Sequence, residues 1–541
     1  MKRRAFLTNT SLAFASLSTS LFVTASCSDK KTEPTTTANT DNVDDTFELN
    51  EMTVTALQDK MAKGAYTSEQ ITKLYLDRIE AVDKNGPKLN AIIELNPDAL
   101  SIAKAMDKER KEGKIRGPLH GIPILIKDNI DTADKMMTTA GALALEGNRA
   151  KKDAFIVERL RAAGAVILGK TNLSEWANFR STNSCSGWSS RGGQTKNPYI
   201  LDHSPCGSSS GSGSAVAANL CAIAVGTETD GSITCPASVN GAVGIKPTVG
   251  LVSRSGIIPI SHTQDTAGPL TRTVTDAAIL LEILAGVDNN DAITKESIGK
   301  VAQYTNFLDI NGLKGKRIGV EKKKYTNQFL NKLQEKALAV LKQQGATIVE
   351  IDYLDSVNAL SNDENEVMKY EFNYGVNAYL SNANAKVKSL EEVNNFNKQN
   401  EDKAMPTFKQ ETLEMCAAKK GLDDADYKKA LAKSHNGTKQ ILDNIIQKNK
   451  LDAITGLTMG PSCSIDTIYG DRWGDVFLTA PAAMSGYPHI SIPCGKVYEL
   501  PVGLSFFSGA YREGELIAIA YSYEQATKHR VTPSFKKSFL S

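Results

Sequence analysis

Ser208 and Ser232 stand 24 residues apart in the segment SPCGSSSGSGSAVAANLCAIAVGTETDGSITCP (204–236), and Lys127 ends the run GIPILIK far upstream. Two hydroxyls and an amine suffice for nucleophilic hydrolysis. One serine attacks a carbonyl, a lysine held neutral takes the proton, and the second hydroxyl relays between them. Ser232 lies in GTETDGSI, where a tight turn can aim the N–H groups of Thr229, Asp230, Gly231 and Ser232 at one developing oxyanion. Ser208 lies in CGSSSGSG, which leads straight into an apolar, helix-competent stretch. Lys127 follows IPILI, and burial disfavours an ammonium enough to bring a lysine into general-base range.

Each feature alone has a plainer reading. Gly-Ser turns are common, Gly/Ser loops serve as linkers or phosphate loops, and Lys127 could simply pair with Asp128. Ser-His-Asp chemistry is the rival. Of His120, His203, His262, His435, His489 and His529, His262 in ISHTQDT is best placed, being near the glycine-rich region, but a lone histidine is more often structural. The conjunction of all three elements favours a Ser-Ser-Lys hydrolase.

Short apolar runs and helical patterns alternate around these residues. IPILI (122–126), AVILG (165–169), AIAVG (222–226), AVGIK (242–246), HISIPCG (489–495) and VGLSFF (502–507) read as buried strands. Helices are expected over 67–82, 154–164, 215–221, 331–345 and 516–527. The pattern predicts one compact α/β domain over 49–541, with a large sheet surrounded by helices. Residues 309–450, rich in Lys, Asn and Glu, are expected to form a helical cover.

The chain has 541 residues, a net charge of +2, 41% hydrophobic and 23% charged residues, the balance of a folded soluble body rather than a disordered one. Lys2, Arg3 and Arg4 precede an apolar run without an acid, so residues 1–26 read as an export signal, and KRRAFL is similar to a twin-arginine signal. Cys27 reads as a lipidation site, with ordinary signal cleavage as the alternative, and either route leads to the periplasm. Residues 27–48 read as a polar, Thr-rich tether. The near-neutral body gives no electrostatic case for a nucleic-acid partner, and none is expected. Eight cysteines without CxxC spacing argue against zinc and read as small buried hydrophobes, with pairing left open.

Taken together, GPLHGIPILIKDNI (117–130), GAVILGKTNLSEWANF (164–179), SPCGSSSGSGS (204–214), GTETDGSITCPASVNGAVGIKPTVGLVS (226–253) and YEQAT (523–527) resemble the amidase signature family. NLSEWANFR (172–180), SGWSSRGGQTKNP (186–198) and GIIPISHTQDTAGP (256–269) are most similar to its bacterial peptide amidases. The resemblance implies a mixed sheet clothed by helices, no cofactor and no metal. It makes Lys127 the base, Ser208 the bridging serine with a cis peptide bond, Ser232 the acylated nucleophile and Thr229–Ser232 the oxyanion turn. Asp230 and Thr234 depart from the Gly and Arg of many members, and Asp tolerates unusual backbone angles. Trp176, Gln264, Asp265, Thr266 and Trp473 are candidates for the substrate pocket. The expected protein is a monomeric hydrolase of small-molecule or peptide amides, touching a membrane only through an N-terminal lipid. A broad-specificity amidase and a non-catalytic binding protein are the alternatives.

Overall fold

The computed structural model describes residues 47–540. The export signal, Cys27 and the tether up to residue 46 lie outside the described residues. From edge to edge, an 11-stranded mixed sheet runs Ile92–Leu95, Val166–Thr171, Pro123–Lys127, Ile223–Glu228, Thr266–Thr271, Val243–Lys246, His489–Val497, Leu500–Phe507, Ala453–Leu457, Arg317–Glu321, Thr347–Ile351. All six apolar runs are strands of it. Five of their segments are buried throughout, because strands covered on both faces need no polar alternation. Helices pack on this sheet, and the joint core draws on nearly every element.

Parallel pairing positions the chemistry. Pro123–Lys127 pairs in parallel with Ile223–Glu228, with Ile126 opposite Val225. Lys127 and Thr227 are therefore carried to the same end of the sheet, and the turn holding Ser232 follows at that end. Helix Ser210–Ala217 starts inside the Gly/Ser run itself, earlier than the expected 215. That run is core, not linker. The Ser214 hydroxyl donates to Lys196 O at 2.9 Å and that of Ser212 to Val225 O at 3.1 Å. A Cβ on Gly211 would lie 2.2 Å from Ala91 O, so close backbone approach requires glycine there.

Residues 309–450 are not cover throughout. Arg317–Glu321 and Thr347–Ile351 pair in parallel across helix Gln328–Gln343 and complete one edge of the sheet. As an edge pair they keep charged and half-exposed positions and lack the all-apolar pattern of the central strands. Cover helices follow, led by Ser361–Asn382. Its Phe372, Val376 and Leu380 form a second apolar cluster with Trp176, Phe179, Ile258 and Ile260.

Candidate active site

Lys127 is fully buried at the end of its strand. Its Nζ lies 2.7 Å from Ser208 Oγ, 2.8 Å from Thr227 Oγ1 and 3.2 Å from Thr227 O. Asn129 Nδ2 donates to the same Thr227 hydroxyl at 3.0 Å, fixing its place. Pairing of Lys127 with Asp128 does not occur. The Asp128 carboxylate accepts from the Thr139 hydroxyl and the Gly141 N–H, and faces Arg191 at 3.5 Å. Burial therefore pushes the lysine down to about 7, with Asp265 and Glu228 acting in the opposite sense. An amine in that range is substantially neutral at physiological pH.

The two serine segments are joined at several points. Ser209 N–H donates to Ser232 O at 3.1 Å, and Ser209 Oγ donates to Thr227 O at 3.0 Å. A disulfide links Cys206, two residues before Ser208, to Cys235, three residues after Ser232. This corrects the expectation of small buried hydrophobes for those two cysteines: they stand 29 positions apart in sequence, and the chain between them folds back until their Cα atoms are 6.0 Å apart. Cys185, Cys221, Cys416 and Cys494 are free and buried. The Gly207–Ser208 peptide bond is cis.

At the turn, Gly231 has a φ of +77°, the left-handed region that glycine occupies freely. Glu228, buried at the strand end, accepts the N–H groups of Ile233 at 2.7 Å and Thr234 at 2.8 Å. The N–H groups of Asp230, Gly231 and Ser232 find no acceptor among the described residues. Donors beyond the nucleophile are thus satisfied internally, and those leading up to it are left for a ligand. Ser232 is 6% exposed, and its Oγ makes no hydrogen bond among the described residues. The contact from Lys127 reaches Ser208 and stops there, a link that commonly tightens only with substrate bound.

Of the five candidate pocket residues, two are brought to this turn. Asp265 accepts the Thr229 hydroxyl on one oxygen and the N–H groups of Ile260 and Ser261 on the other. Gln264 Nε2 lies 3.4 Å from Thr229 O and donates to Glu364 Oε1 at 2.8 Å. Thr266 is a strand residue opposite Glu228. Trp176 is 1% exposed and packs edge-on against Phe372, which makes it core rather than accessible wall. Trp473 is half-buried on a cluster of Cys206, Cys235, Val239 and Met459.

His262 sits on the surface 3.4 Å from Glu371, and no histidine contacts Ser208 or Ser232 among the described residues. The Ser-His-Asp alternative has no geometry here. Thr227, Asn129, Glu228 and Glu364 were not singled out by sequence reasoning. The first three lie inside the quoted motifs, so their spacing was visible but their partners were not. A cavity of about 870 Å³, lined by residues such as Asp131, Asn148 and Tyr379, contains none of the trio.

The chain matches the family model described as Amidase over residues 70–517. A probable amidase of Arabidopsis thaliana is 40% identical over 503 residues, covering 91% of this chain and 93% of that protein. A glutamyl-tRNA(Gln) amidotransferase subunit of Clostridium kluyveri is 35% identical over 514 residues, covering 90% and 99%. Among solved structures, native peptide amidase from Stenotrophomonas maltophilia superposes with a TM-score of 0.86 at 46% identity, covering 90% of this chain and 99% of that one. With the sheet, the turn and these matches in agreement, the chain belongs to the amidase signature family and is an amide-hydrolysing enzyme.

Proposed function

We propose that this enzyme hydrolyses the C-terminal amide of peptides, releasing ammonia, through an acyl-enzyme on Ser232. The observation that carries the mechanism is the 2.7 Å contact between Ser208 Oγ and a lysine whose burial brings it to about 7. Neutral Lys127 accepts the Ser208 proton while Ser208 Oγ takes the proton of Ser232. The Ser232 oxygen then bonds to the amide carbon, and the carbonyl oxygen gains negative charge facing the N–H groups of the turn. The relay returns the proton to the nitrogen as the C–N bond breaks, giving ammonia and an ester. Water, deprotonated by the same relay, cleaves the ester to the acid and restores Ser232.

Gln264 and Asp265, bound to the carbonyl and hydroxyl of Thr229, position the turn in this scheme. Similarity to the peptide amidase supports the peptide as substrate. The Cys206–Cys235 bond supports an oxidising compartment, in keeping with export. The test is ammonia release from a panel of amidated peptides beside simple aliphatic and aryl amides, with Ser232→Ala as the blank. Release from the peptides above that blank is expected. Turnover of simple amides alone would leave a broad-specificity amidase instead.

A further inference from the structure

An amide and the acid formed from it have nearly the same shape, and N–H groups that hold an oxyanion also attract a product carboxylate. The turn therefore needs something other than shape to tell them apart. From Ser208 to Thr248 every residue is buried except Asp230, two positions before the nucleophile. At Asp230 the catalytic segment meets accessible space, yet its Oδ1 is enclosed and has no hydrogen-bond partner. A second carboxyl comes from the cover: Glu364, 5% exposed on helix Ser361–Asn382, tied through Gln264 Nε2 to the carbonyl of Thr229.

Burial raises both carboxyls, and the Asp230 charge raises Glu364 further. Around Asp230, Glu228 adds to the upward push, whereas the Thr479 hydroxyl and Lys246 oppose it. Repulsion between the two carboxylates keeps a proton on the pair after the first has ionised.

We infer that Asp230 and Glu364 form a charge filter at the nucleophile turn, admitting the neutral carboxamide and repelling a carboxylate. The filter offsets the attraction of the turn N–H groups for anions, releases the acid product and keeps unamidated acids out of the site. It rests on amide hydrolysis at Ser232 and not on the peptide as substrate.

The test is the ratio of the acid's inhibition constant to the amide's KM. It is measured with N-acetylphenylalanine amide and N-acetylphenylalanine, and with benzamide and benzoate. In the double variant Asp230→Asn, Glu364→Gln this ratio is expected to fall by roughly tenfold, because only the acid carries a charge to be repelled and either single variant leaves one carboxyl able to carry the repelling charge. A purely structural role would move both constants together and leave the ratio unchanged, which would overturn the filter. If only benzamide is hydrolysed, the peptide reading fails and the benzoate arm still decides. If the double variant does not fold, Asp230→Asn alone, which removes the carboxyl that ionises first, decides by a fall in the same direction. Calorimetric titration of the two acids into Ser232→Ala, with and without Asp230→Asn and Glu364→Gln together, reads the same affinity change without turnover; equal acid affinities there contradict the filter.

Discussion

The catalytic segment, residues 204–249, and the cover helices that follow Leu354 are held in place by different means. In the first, nearly every residue is buried, serine hydroxyls are bonded to backbone carbonyls, and a disulfide clasps the two serine-bearing ends. The cover lies on the body through the apolar clusters around Phe372 and Leu442 and through scattered polar ties, among them Glu364 to Gln264, Glu371 to Ser261 and Thr263, Tyr379 to Asp131 and Glu411 to Ser181. Backbone accounting fixes the first region to the precision that proton transfer needs. The second is fixed mainly by non-directional burial, which positions a carboxyl for a charge effect but not for a proton relay.

The comparison breaks most visibly at the nucleophile. Ser232→Ala is expected to lower kcat by a factor on the order of 10⁴ or more, with an unchanged circular dichroism spectrum and melting temperature. Lys127→Ala comes next, with a loss on the order of 10²–10⁴ in kcat/KM. In the unaltered enzyme the basic form of Lys127 is the active one, so kcat/KM is expected to rise as pH increases through about 7 and then level. A profile flat from pH 5 to 9 would remove lysine as the base.

Stability effects separate the two regions further. Phe372→Ala removes a fully buried ring from the cluster under the cover and is expected to cost about 3–5 kcal/mol in urea unfolding, with KM affected more than kcat. Replacing Cys206 and Cys235 together by Ser is expected to cost about 2–4 kcal/mol, with kcat affected more than KM because the clasp sets the register of the serines. If both variants shifted the same kinetic constant, the division between regions would not stand. On the surface, Lys73→Ala breaks an exposed ion pair with Asp77 and is expected to change stability by less than about 0.5 kcal/mol.

Legibility in the sequence follows the same division. The six apolar strands and the trio could be read because burial on both faces and the need for hydroxyls, glycine and lysine leave local marks. Thr266–Thr271, with Gly268 and Pro269 in its middle, carries little strand pattern, and its place is set by the pairing of Thr266 with Glu228 and of Thr271 with Val243. Arg317–Glu321 and the edge strand Thr347–Ile351 read as cover for want of an apolar run. Pairing of Cys206 with Cys235, and the approach of Glu364 to the turn, depend on tertiary folding alone. No spacing rule records them.

The central claim is that Ser232 carries the acyl group while Lys127 and Ser208 move the proton. Its most direct test is to quench the enzyme during turnover of an amidated peptide or a slow ester and locate the added mass by peptide mass spectrometry. The acyl group is expected on Ser232 and absent from Ser232→Ala. An adduct on Ser208, or turnover that persists in Ser232→Ala, would contradict the account.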